Sequence, residues 1–261
     1  MERIKIGITG QAGFVGTNLY NYLNGENEFD TIPFEDAYYD DETKLQEFVR
    51  RCDVVVHLAA VMRSQEPGYV YQTNMRLVND LIMAAERTGA KPSILFASSI
   101  QESGNTEYAR CKRDGATILS RWCEKNHSGF CKMVFPNLFG PHAKPNYSSF
   151  IATFCYKLTH NEQPQVLVDN EVPLIYIGAL TNQLAGLAKE IYSSKLIMSH
   201  TFQPQFTMKV TEVLSILTRY RDEYLKKKLE PNLTTQIEKD LFTTFCSYID
   251  YEQYLPKNRV D

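Results

Sequence analysis

Ile4-Lys-Ile-Gly-Ile-Thr-Gly-Gln-Ala-Gly-Phe-Val-Gly16 is the stretch that decides the fold. A short apolar run is broken by Gly10, Gly13 and Gly16 and then continues in the helical spacing of Thr17 to Leu23. A strand that turns sharply into a helix leaves unpaired N–H groups and the positive end of the helix dipole facing the turn, which together attract a phosphate or pyrophosphate. Gly10 permits the tight turn, Gly13 lets a pyrophosphate approach the backbone, and Gly16 lets the helix lie close on the strand. The next apolar run ends in Glu35-Asp36, at the distance where a dinucleotide site places the carboxylate that meets a ribose.

Outward from that start, strand and helix alternate. Asp30 to Phe34 reads as a short strand, and Asp41 to Arg51 as a helix with an acidic start and a basic end. Asp53-Val-Val-Val-His-Leu-Ala-Ala60 is a continuous apolar run, the mark of a parallel strand covered on both faces. A long helix is expected from about Tyr69 to Arg87, a strand over Ser93 to Ala97, a helix from Tyr108 to Glu124, and a strand over Cys131 to Phe135. The alternation predicts an α/β fold: a doubly wound parallel sheet of the Rossmann kind, with a smaller C-terminal lobe for substrate. The expected division is 1–145 plus about 177–200 for the dinucleotide, and about 146–176 plus 201–261 for the lobe. In the lobe, Ser148 to His160 reads as a helix and Gln165 to Val168 and Pro173 to Ile177 as short strands. Three more helices follow, over Ala179 to Tyr192, Val210 to Lys228 and Thr234 to Ser247, and Leu196 to Met198 could return a strand to the main sheet.

The 261 residues carry a net charge of -3, which offers no electrostatic footprint for nucleic acid or an anionic membrane. No apolar run reaches the roughly 20 residues of a membrane span, and the chain opens on a strand instead of a signal peptide. The six cysteines form no Cys-x-x-Cys pair and have no histidine at ligand spacing, so they read as buried thiols of a reducing cytoplasm, and no metal is expected.

Ser99, Tyr108 and Lys112 form the candidate catalytic set. On a helix, residues i and i+4 share a face, so Tyr108 and Lys112 would point together beyond the carboxyl edge of the sheet. A free phenol titrates near 10, and a nearby ammonium favours its ionised form, so the pair can pass a proton to or from a carbonyl oxygen as hydride moves. Ser99, at its strand end, could hold the same oxygen. A Tyr-x-x-x-Lys spacing alone is common; the glycine turn and the Ser98-Ser99 strand end give it weight. His57 reads as a packed core histidine, and Asn74 as either a bland polar residue or a buried tether between elements.

At these residues the chain resembles the extended short-chain dehydrogenase/reductases, the NAD-dependent epimerase/dehydratase family. Thr9 to Gly16 looks like their TGxxGxxG motif, His57-Leu-Ala-Ala60 like their adenine-side loop, Tyr108-Ala-Arg-Cys-Lys112 like their YxxxK, and Pro136-Asn-Leu-Phe-Gly-Pro141 like their PNxxGP. The resemblance implies a dinucleotide held by Gly10, Gly13, Phe14, Val15, Gly16, Glu35, Asp36, Leu58, Ala59, Ala60, Asn74, Tyr108, Lys112 and Pro136. It also implies a nucleotide-sugar substrate and a homodimer formed through the Tyr108 helix and the helix near residues 69–87. A closer similarity is to the reductase domain of the CapF-type capsular polysaccharide enzymes, carried by Ser98-Ser-Ile-Gln101, Lys144-Pro-Asn-Tyr147, Ile151 to Lys157 and Glu238-Lys-Asp-Leu241. Those enzymes join a zinc cupin domain to a domain that reduces a 4-keto-6-deoxy nucleotide sugar, and this chain is expected to stop about where the cupin would start.

Three departures sharpen the expectation. Glu35-Asp36 stands where the resembled reductases carry a base for the 2′-phosphate, which favours NAD(H) over NADP(H). Their YVDD segment is Tyr176-Ile-Gly-Ala179 here, and Val134 replaces an arginine two positions before the Pro-Asn pair. The related 4,6-dehydratases carry Asp-Glu directly after the Ser/Thr, whereas this chain has Ile100-Gln101, so carbonyl reduction is expected over dehydration. A 4-epimerase with retained NAD uses the same three residues, and a non-catalytic dinucleotide-binding protein is the alternative of another class. Arg63, Gln101, Asn137, Lys144 and Asn146 are the candidate substrate contacts.

Overall fold

The computed structural model describes residues 2–147 and 149–251. The chain folds into two compact units. The first runs up to Pro136 and resumes over Ala179–Gln203; the second comprises Asn137–Gly178 and the chain from Pro204 onward.

The first unit is built on a six-stranded, wholly parallel sheet. Its strands are β1 (Ile4–Thr9), β2 (Phe29–Ile32), β3 (Val54–His57), β4 (Ser93–Ser99), β5 (Phe130–Phe135) and β8 (Ile197–Thr201), and their spatial order is β2-β1-β3-β4-β5-β8. β3 is buried at all four positions, as a strand covered on both faces must be. Helices α1 (Phe14–Asn24), α2 (Glu42–Arg51), α3 (Tyr69–Thr88) and α4 (Glu107–Asn126) cross between strands, and α6 (Ile177–Ser194) leads into β8. One core joins β3 and β4 to α2, α3 and α4 through Phe48, Val55, Leu81, Phe96, Leu119 and Trp122. The chain leaves β1 toward β2 on one side and returns to β3 on the other, so the order reverses between β1 and β3, the place where such sheets open a crevice at their carboxyl edge.

The second unit pairs β6 (Asn137–Phe139), β7 (Glu171–Tyr176) and β9 (Phe206–Lys209) in a small mixed sheet. Around it pack α5 (Phe150–Thr159), α7 (Val210–Tyr220), which continues into a π-helical turn over Arg221–Lys226, and α8 (Gln236–Cys246). Phe139, Phe154, Leu217, Tyr220, Leu241 and Phe245 fill its core.

Several expected boundaries move. The first unit ends at Pro136 instead of 145, because Asn137–Phe139 pairs with β7. Gln165 to Val168 forms no strand; Leu167 is 90 % exposed, and β-branched composition makes a strand only where a partner strand is within reach. The helix expected from Ser148 is α5, with Ser149 capping it through the Ala152 N–H, and Ser148 itself lies outside the described residues. Leu196 to Met198 does return to the main sheet, as the start of β8 beside β5.

All six cysteines are free thiols. Among the described residues, no helix is long and apolar enough to cross a membrane.

Candidate active site

The glycine turn, the loop of Leu58 to Ala60 and Ser99 all follow from where a strand ends. β1 stops at Thr9 and the chain turns at Gly10, whose φ of +69° is a conformation that L side chains rarely adopt. A Cβ there would also sit 2.8 Å from the Ala59 nitrogen, so the turn after β1 rests directly on the loop after β3. Gly16 lies against the Gly10 carbonyl oxygen and the Gln11 backbone, and a Cβ on it would collide with both. Gly13 differs: it is exposed, and a Cβ there would meet just the Gly10 carbonyl, at 3.1 Å. Gly13 is also the N-cap of α1 and supplies no side chain to the helix's first N–H groups. Phe14 and Val15, half-buried, follow at the helix start. An uncapped N-terminus approached over a bare glycine fits a pyrophosphate.

The Gln11 side chain accepts the Phe34 N–H at 3.1 Å, tying the glycine turn to the end of the second apolar run. Glu35 and Asp36 follow at once, both exposed, with Glu35 opening a 3₁₀ turn over Asp36–Asp40. On the other side of the crevice, the half-buried Leu58, Ala59 and Ala60 leave β3. The Leu58 N–H reaches the Thr9 carbonyl at 3.2 Å and the Ala59 N–H reaches the Thr9 hydroxyl at 3.3 Å.

Asn74 is the tether of the two readings open to it. Its carboxamide donates to the Val61 and Val70 carbonyls and to Cys111 Sγ, and accepts the Val61 N–H, both Val61 bonds being 2.8 Å. It is 5 % exposed, so it governs the loop after β3 through the Val61 backbone. His57 is a core histidine. It lies 2.8 Å from the Thr9 hydroxyl and stacks on Phe96, and burial, with the Lys112 charge second, pushes its pKa down to about 3.

Ser99 ends β4, and its hydroxyl accepts the Gln101 N–H at 3.2 Å, capping a 3₁₀ turn over Ile100–Ser103. Thr106 caps α4 through the Ala109 N–H, which fixes Tyr108 in the first turn. One turn on, Lys112 is 3 % exposed, with its ammonium 4.9 Å from the Phe96 ring centre and 5.3 Å from that of Tyr108. Burial lowers its pKa to about 8. At neutral pH it is still mostly charged, a cation held against the phenol of its own helix.

The nearest carboxylate after Ser99 is Glu102, which the reading of the sequence did not single out. It accepts from the Ser98 hydroxyl and is ion-paired to Lys132 at 2.7 Å. The signal was out of reach of spacing rules, since Lys132 lies on a different strand. Among the remaining candidates of this unit, Arg63 and Gln101 are exposed and Pro136 is buried just past β5.

The chain matches the model of the NAD dependent epimerase/dehydratase family over residues 6–183. It belongs to that family. The match takes in β1 from Ile6 onward, the glycine turn, Ser99, Tyr108 and Lys112. Among curated proteins, the UDP-2-acetamido-2,6-beta-L-arabino-hexul-4-ose reductase of Pseudomonas aeruginosa is 27 % identical over 252 residues, 96 % of this chain and 66 % of that protein. This chain therefore spans slightly less than two thirds of that relative's length. Among solved structures, the capsular polysaccharide assembling protein CapF of Staphylococcus aureus superposes with a TM-score of 0.78 at 29 % identity, over 97 % of this chain and 67 % of CapF. RMD from Pseudomonas aeruginosa, solved with NADPH, gives 0.75 at 16 % identity over 94 % of this chain and 99 % of its own, a likeness of fold.

In the second unit, Asn137 donates to the Pro173 carbonyl at 3.2 Å. Lys144 lies over the Tyr147 ring at 5.9 Å, and the exposed Asn146 takes a left-handed φ of 56° with its N–H on Thr153. Gly140 of the Pro-Asn segment, at φ +147°, packs where a Cβ would collide with Ile177. That contact ties the segment to the Tyr176-Ile-Gly-Ala179 stretch, whose Gly178 lies against the Tyr176 ring.

Proposed function

We propose that this chain reduces the 4-keto group of a 6-deoxy nucleotide sugar in the biosynthesis of a capsular or other surface polysaccharide. The observation that carries the reading is the Lys112 ammonium held against the Tyr108 ring one helical turn away, beside the strand that ends in Ser99. A nicotinamide dinucleotide, when bound, supplies the hydride. Gly10, Gly13, Phe14, Val15 and Gly16 would hold its pyrophosphate, Leu58 to Ala60 would line its adenine side, and Pro136 would face its nicotinamide. Tyr108 gives its proton to the sugar's carbonyl oxygen, Lys112 stabilises the phenolate left behind, and the Ser99 hydroxyl orients that oxygen. Dehydration would need an acid and a base directly after Ser99. Ile100-Gln101 offers neither, and Glu102 is committed to Ser98 and Lys132.

Glu35 and Asp36 support NAD(H) over NADP(H), because a carboxylate accepts from a ribose 2′-OH and repels a 2′-phosphate. Arg63, Gln101, Asn137, Lys144 and Asn146 are the proposed contacts to the nucleotide sugar. The free thiols support a cytoplasmic enzyme, and the family supports a homodimer through α3 and α4.

The test is an assay of cofactor consumption with the UDP-linked 2-acetamido hexul-4-ose in the Pseudomonas aeruginosa reductase's name as first substrate. One NADH oxidised per sugar reduced is expected. With a C4-hydroxy UDP-HexNAc supplied in place of the ketone, interconversion of its C4 epimers without added NADH would assign the 4-epimerase reading instead, and binding without turnover of either sugar the non-catalytic one.

A further inference from the structure

Glu102 takes no part in the chemistry above, yet three elements converge on it. Its carboxylate accepts from the Ser98 hydroxyl at the end of β4 and pairs with Lys132 of β5 at 2.7 Å. Arg113 of α4 donates to the Glu102 carbonyl and, at 2.8 Å, to the Gly104 carbonyl. Between these anchors lies the four-residue turn Ile100–Ser103, capped by the Ser99 hydroxyl through the Gln101 N–H. The Glu102 and Lys132 side chains are just 19 % and 26 % exposed, so the pair is partly desolvated, and losing one member leaves the other charge poorly compensated. A single 3₁₀ turn has too few bonds of its own to hold a hydroxyl to within a few tenths of an ångström; its surroundings must do so.

We propose that Glu102 is a positioning residue: with Lys132 and Ser98 it locks the turn that aims the Ser99 hydroxyl at the substrate oxygen. The assignment rests on the reading that Ser99 meets that oxygen. Arg113 couples the same turn to the helix that carries Tyr108 and Lys112, so the lock also sets the serine relative to the proton donor.

A double-mutant cycle tests it. Glu102→Gln keeps an acceptor for Ser98 and removes the charge that holds Lys132; turnover should fall about tenfold with the KM for dinucleotide essentially unchanged. In a Ser99→Ala background the same substitution should cost nothing further, because its effect travels through the missing hydroxyl. Lys132→Met should repeat the pattern, and it replaces Glu102→Gln if that variant does not fold. An equal loss in both backgrounds, or unchanged turnover in the single variants, overturns the proposal. Hydrogen exchange at the Gln101 amide decides it without any substrate. Exchange should quicken by about tenfold in Glu102→Gln, since a loosened turn frees that amide from Ser99, and unchanged exchange overturns the lock. A wild-type protein with no reductase turnover would refute the functional reading alone, while the amide measurement would still judge the turn.

Discussion

The Lys112 ammonium lies 5.3 Å from the centre of the Tyr108 ring, and the residue that carries it is 3 % exposed. Burying a cation in this way is unfavourable by itself: desolvation lowers its pKa to about 8 from an unfolded value near 10.5. The unfolded chain therefore binds more protons than the native one between about pH 8 and 10.5, and stability rises with pH across that window. Lys112→Met should flatten that rise and leave the melting temperature at pH 7 no lower than wild type, while turnover falls by about a hundredfold or more. In the wild type, kcat should decline above about pH 8 as the ammonium loses its charge. Lys112→Arg should move that limb to higher pH; pH–rate profiles and thermal melts of the three proteins check both statements.

His57 makes the opposite end of the pH range diagnostic. Its pKa falls to about 3 in the fold, so between pH 6.5 and 3 the unfolded chain takes up a proton that the native chain refuses. Stability should drop as pH falls through that window, by up to several kcal/mol, because each tenfold difference in proton affinity between the two states is worth about 1.4 kcal/mol. His57→Gln should abolish much of that acid sensitivity in urea melts between about pH 7 and 4, though it gives up the stacking on Phe96.

The three glycines separate into structural and binding roles. Gly16→Ala drives a methyl into the Gly10 carbonyl and the Gln11 backbone and should destabilise by about 1–3 kcal/mol. Gly13→Ala, with its nearest neighbour at 3.1 Å and an exposed position, should fold close to normally and weaken dinucleotide binding by roughly tenfold or more. Denaturant titration and fluorescence titration with NADH distinguish the two.

For the cofactor, the carboxylates after Phe34 predict that NADH binds roughly tenfold or more tightly than NADPH, a difference of about 1.4 kcal/mol. Replacing Asp36 by Arg should narrow or invert that ratio, read by titrating each dinucleotide into both proteins.

How much of this was visible in the chain itself depends on the range of each interaction. The turn from β1 into α1 and the run Val54 to His57 were legible because glycine spacing and two-sided burial are local signals. So was the Tyr108–Lys112 face, which needs one turn of one helix. The strands β6 and β9 were not: three and four residues long, they exist because β7 pairs with each from either side. The opposite error, a strand over Gln165 to Val168, came from residues with strand composition and no partner. Asn74 was half legible, its mid-helix place among apolar residues suggesting a tether but not the Val61 backbone it holds. The Glu102–Lys132 pair was invisible because 30 positions and the whole of α4 separate its members.

On the proposed mechanism, the Tyr108 phenol donates the proton as hydride reaches the carbonyl carbon. Single-turnover oxidation of NADH by wild type and by Tyr108→Phe, with saturating 4-keto nucleotide sugar, tests it most directly. The claim predicts a rate lower by about 10² or more in the variant, with the dissociation constant for NADH within about twofold of wild type. A Tyr108→Phe protein that reduces the sugar at the wild-type rate would contradict it.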